Sequence, residues 1–106
     1  MYITYKRYKQ LYKVYERVKK HYGKSRYYKD YPRLLLYFDC GDRSYGFFGE
    51  GEIGINFAMC NSVRNAVCSL IHEYKHYLQS PKQTGFSYWD DPAEREANKV
   101  VAKLFM

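Results

Sequence analysis

At 106 residues the chain is long enough for one domain with a single modest core, and no run approaches the roughly 18 consecutive apolar residues of a membrane-spanning helix. Eighteen Lys and Arg against eleven Asp and Glu give a net charge of +7, and 14 tyrosines supply most of the aromatic content. Cys40, Cys60 and Cys68 cannot all pair internally and lack zinc-ribbon spacing, so reduced thiols in the cytoplasm are expected. Residues 1–7 carry charges and no continuous apolar run, and are not read as a secretory signal.

In chain order, Tyr5, Tyr8, Leu11, Tyr12, Tyr15, Val18 and Tyr22 recur at helical spacing, and Gly23 follows as a C′ residue, so residues 1–23 are expected to form a basic amphipathic helix. Lys6, Arg7, Lys9 and Lys13 interleave with its tyrosines. That pattern suits nucleic acid, where phosphates meet cations and bases stack on rings. It equally suits a helix in which tyrosine takes leucine's place toward the core and the lysines are solvated.

Residues 33–39 read as a buried strand, closed by Cys40-Gly41-Asp42, and residues 43–48 and 52–58 as two more, joined through Gly49-Glu50-Gly51 in a hairpin. The sheet, over residues 33–58, is expected to be three-stranded and mainly antiparallel. Ile53 to Phe57 is expected to be an edge strand at the rim of a cleft, able to take an extended peptide by strand addition, or else an ordinary protected edge.

Residues 62–79 carry Val63, Ala66, Val67, Leu70, Ile71, Tyr74 and Leu78 in one helical stripe, with Asn61 or Ser62 as N-cap and Ser80-Pro81 as the stop. Within this helix His72-Glu73-Tyr74-Lys75-His76 is an HExxH motif. Residues i and i+4 share a helical face, so the two imidazoles can converge on one metal ion with Glu73 beside them. The plain alternative is a pair of surface histidines. Cys68, a further turn back, is too distant to share an ion with both and is expected to be a small buried or half-buried thiol.

A last helix, residues 91–105, opens on Asp91-Pro92-Ala93-Glu94-Arg95-Glu96-Ala97-Asn98. HExxH followed by a helix bearing Glu-x-Glu-Ala-Asn resembles the gluzincin zinc metallopeptidases, in particular the small ImmA/IrrE-like and minigluzincin peptidases, over residues 50–105. The resemblance implies Zn2+ held by His72, His76 and Glu94, with Asn98 supporting the site, Glu73 as general base, and a peptide or protein as substrate. The chain has Val100 where that family usually carries a large aromatic residue. Glu94 also fits a capping box with Asp91, and Glu96 is the other candidate ligand. Tyr88, between the two helices, is one candidate to steady an oxyanion. SprT-like zincins, which are DNA-associated, place a third His where this chain has Ser80. The expected whole is a small α+β zincin-like domain. A zinc-stabilised domain that binds protein or nucleic acid without catalysis is the alternative.

Overall fold

The structure, a computed structural model, describes residues 1–81 and 92–106, the side chains of residues 92–96 excepted. Its elements run α1 (Tyr5–Tyr22), β1 (Arg33–Tyr37), β2 (Gly46–Gly49), β3 (Glu52–Asn56), a short 3-10 turn at Phe57–Met59, α2 (Val63–Leu78) and α3 (Pro92–Phe105). This is the α+β arrangement expected.

The two long helices begin and end for local reasons. Thr4 caps α1, its hydroxyl accepting from Arg7 N at 3.2 Å, and Gly23 closes it at φ 79°. That conformation is open to glycine and costs other residues roughly 1–3 kcal/mol. Ser62 caps α2 in the same way, through Asn65 N at 3.2 Å.

The sheet order is β1-β3-β2, with β2 antiparallel and β1 parallel to β3. It is therefore mixed, where mainly antiparallel pairing was expected. β2 and β3 are joined at Glu50-Gly51, with φ of 53° and 75°, a primed hairpin turn whose twist suits β2 against β3. Residues 38–45 form a longer connection, which lets β1 lie on the far side of β3.

The consequence is that Ile53–Asn56 is the central strand. The expectation of an open edge at Ile53 to Phe57 is wrong, because β1 and β2 already take both sides of β3. Gly54 makes this packing possible. A Cβ there would sit 2.1 Å from the Phe47 ring, and one at Gly46 would sit 2.2 Å from the Gly54 carbonyl oxygen.

The core gathers Leu11, Val14, Tyr15 and Val18 of α1, Leu34, Ile53 and Ile55 of the sheet, and Val67, Leu70, Ile71, Tyr74 and Tyr77 of α2. The α2 helix is surrounded by α1, α3, β2 and β3. Tyr5 and Tyr8, expected on the core stripe of α1, are 74% and 43% exposed. The α1 helix meets the core only from Leu11 onward, so its first two turns project past it.

Several tyrosines do replace leucine in the core, and for a stated reason: their hydroxyls hold the chain between α1 and β1. Tyr74 donates to Gly23 O, Tyr15 to Pro32 O, and Tyr12 to Leu34 O. Tyr77 donates to Asp30 O at 3.2 Å and accepts from Ser25 N at 3.1 Å. Burial raises the pKa of Tyr15 and Tyr74, which keeps both phenols as donors. Asn56, fully buried, does the same for the 38–45 connection. Its amide donates to Asp39 O, Asp42 O and Ser44 O at 2.9–3.2 Å, and its carbonyl accepts from Asp39 N and Ala58 N at 3.0 and 3.1 Å. Among the described residues no helix is long and apolar enough to cross a membrane.

Candidate metal centre

The α2 helix phase set by Ser62 brings His72 and His76 one above the other. Their Nε2 atoms are 3.2 Å apart, and Glu73 Oε1 lies 3.5 Å from His72 Nε2. All three donor atoms fall within 4.8 Å of one another, the one such group of three His, Cys, Asp or Glu among the described residues. His72 is 2% and Glu73 4% exposed, while His76 is half-buried and forms the open side of the group. The alternative of a pair of surface histidines does not hold for His72, which is buried. With α1, α3 and the sheet packed around α2, the position of His72 is enclosed.

Burial sets the charge states. His72 is held down to about 3, chiefly by burial and then by the positive potential of His76 and Lys75. His76 is lowered by burial, against a hydrogen bond to Gln79 that raises it. Both rings are therefore neutral at pH 7, the form that ligates metal. Glu73 is pushed up to about 7 by burial, and a bound cation would pull it back down.

The donor set fits zinc. Two nitrogens on one tetrahedral ion at 2.0–2.1 Å stand about 3.3–3.4 Å apart, against the 3.2 Å between the imidazoles. The same separation admits a hydrogen bond between a donor and an acceptor tautomer, so the two Nε2 atoms are partnered either way. Cys68 is half-buried and stands outside the group, as expected.

Glu94 and Glu96 belong to the backbone of α3, which packs against α2. Their side chains, and Tyr88 and Asp91 entirely, lie outside the described residues. Asn98 is buried, and its Oδ1 accepts from Lys75 Nζ at 2.9 Å. It therefore meets the motif helix through Lys75, inside the HExxH segment, with its side-chain carbonyl turned to an ammonium. Sequence reasoning missed Lys75. Its only signal was a cation within the motif, whose charge opposes protonation of His72. Two cavities, of about 210 and 380 Å³, open at the α1 flank beside Val63 and Met106 and at the 28–33 segment beside Glu50; neither is lined by the His72 group. No protein-family model matches this sequence, and no curated protein or solved structure matches it.

Proposed function

We propose that the protein is a zinc-dependent metallopeptidase of gluzincin type, with His72, His76 and Glu94 as ligands and Glu73 as general base. The observation that carries this reading is the pair of neutral imidazoles, His72 buried and His76 half-buried, Nε2 atoms 3.2 Å apart, with the buried Glu73 carboxyl beside them. A structural zinc site needs no third, proton-exchanging group at that place. A carboxylate at that place can take up and return a proton.

When bound, zinc polarises a scissile carbonyl and acidifies a water. The chain's own residues do the rest. Glu73 takes the proton from the attacking water and returns it to the leaving amine. Burial around His72 and Glu73 excludes bulk water, which strengthens each electrostatic contact there. The Lys75–Asn98 bond ties α3 to the motif helix and so positions the segment that carries Glu94. A peptide or protein is the substrate, and the reduced state of Cys40, Cys60 and Cys68 suits a cytoplasmic setting.

The near-complete burial of Glu73 favours a second reading, a zinc-stabilised interaction domain without catalysis. Glu73→Gln separates the two. Assayed on a broad peptide library with zinc content measured alongside, the variant should keep its metal and lose hydrolysis by at least about 10²-fold. A wild-type protein that holds zinc and cleaves nothing in the library would establish the second reading instead.

A further inference from the structure

The charge of this chain is divided unevenly. Eleven of its eighteen Lys and Arg but only two of its eleven Asp and Glu lie in residues 1–33, a net +9 that leaves −2 for the rest. We infer that the exposed face of α1 binds single-stranded nucleic acid, independently of the metal site.

Lys6, Lys9, Lys13 and Lys20 are all exposed and fall within about 60° of arc at 100° per residue. They form one stripe about 21 Å long at 1.5 Å per residue, long enough to follow several successive phosphates of an extended strand. The acid on this part of the helix, Glu16, is held by Lys19 at 2.8 Å and does not interrupt the stripe. Along one flank lie Tyr5 and Tyr8, 74% and 43% exposed, with Lys9 Nζ 4.9 Å from the centre of the Tyr5 ring. Tyr8 also packs against the Tyr12 ring, centroids 4.5 Å apart, which leaves its outer side to solvent; cations beside exposed tyrosines serve both halves of a single strand, the phosphate by charge and the unpaired base by stacking.

A duplex hides its bases in the stack and gives the tyrosines nothing to face. An anionic membrane is the other partner a basic helix attracts, but there the helix must offer an apolar face. In α1 that face is already in the core, with Leu11, Val14 and Val18 at 0–4% exposure.

The test is fluorescence anisotropy of the full-length protein with a labelled oligothymidylate of about 15 nucleotides. The same-length duplex and phosphatidylserine vesicles serve as comparisons, with and without chelator. The single strand should bind tightest, equally in both metal states, with log K falling linearly in log salt. Changing all four lysines to Gln should weaken binding at low salt by at least about 30-fold and flatten the slope by about 3, at roughly 0.7 per contact. Tyr5→Ala with Tyr8→Ala should cost about 10-fold and leave the slope unchanged, since stacking releases no counterions. All six side chains are at the surface, and circular dichroism checks the fold. The single changes Lys9→Gln and Lys13→Gln read about 0.7 of slope apiece should the fourfold variant misfold. Undiminished binding by the lysine variants would overturn the inference. So would equal affinity for duplex with no tyrosine effect, or binding to vesicles without binding to the oligonucleotide.

Discussion

In protein freed of metal by chelation, Glu73→Gln should stabilise the fold at neutral and alkaline pH. Burial carries the Glu73 carboxyl from 4.5 up to about 7. Between those values the folded chain binds more protons than the unfolded one. The stability due to the neutral carboxyl is therefore full below about pH 4.5 and is lost as pH rises through 7. At about 1.36 kcal/mol per pKa unit, ionised Glu73 costs the fold on the order of 3 kcal/mol relative to its neutral form. Gln never ionises, but burying its amide returns about 1 kcal/mol of that gain. The net is about 2 kcal/mol of stabilisation at pH 8, roughly 10 °C in Tm for a chain this size, and reverses to a loss of up to about 1 kcal/mol at pH 4.5, where only the amide cost remains. Thermal melts followed by circular dichroism across that range measure it. A variant no more stable than wild type at pH 8, or a difference that does not change with pH, would refute the placement of a buried carboxyl there. Gained stability with lost hydrolysis is the mark of a group retained for its chemistry.

Asn56→Ala removes five hydrogen bonds to the backbone of residues 39–58 and should destabilise by about 3 kcal/mol in chemical unfolding; a change under about 1 kcal/mol would mean that water replaces the amide freely. Thiol labelling at pH 8 should modify exposed Cys40 first and Cys60 only on unfolding, because burial raises the Cys60 thiol to about 11; equal rates would contradict that burial. Glu94→Gln should weaken zinc binding severely and Glu96→Gln mildly, as judged by competition with a chelating dye, and the reverse order would transfer the third ligand to Glu96.

Much of this architecture is legible in the residues. Gly23 ends α1, Ser62 is one of the two caps offered for α2, and Gly49-Glu50-Gly51 marks the hairpin, because caps and turns are local chemistry. The i, i+4 spacing likewise announces that His72 and His76 meet. Pairing partners are not local. A short apolar strand such as Leu34-Leu35-Leu36 looks alike beside β2 or β3, so the parallel β1–β3 pair and the central place of Ile53–Asn56 emerge only from the fold. Burial of His72 and Glu73 is hidden for the same reason, since the helical stripe shows one face of α2 and not that α1, α3 and the sheet close around the others. Asn56, the tyrosine hydroxyls and the Lys75–Asn98 bond act on segments 12 to 52 residues away, and no sequence spacing reveals them.

The central claim is that His72 and His76 hold zinc together. Metal analysis of purified wild-type, His72→Ala and His76→Ala proteins after zinc loading and removal of excess, with folding checked by circular dichroism, tests it most directly. One zinc per chain in the wild type and none in either folded variant is the predicted result; a wild type without zinc, or a variant that keeps it at full stoichiometry, would contradict it.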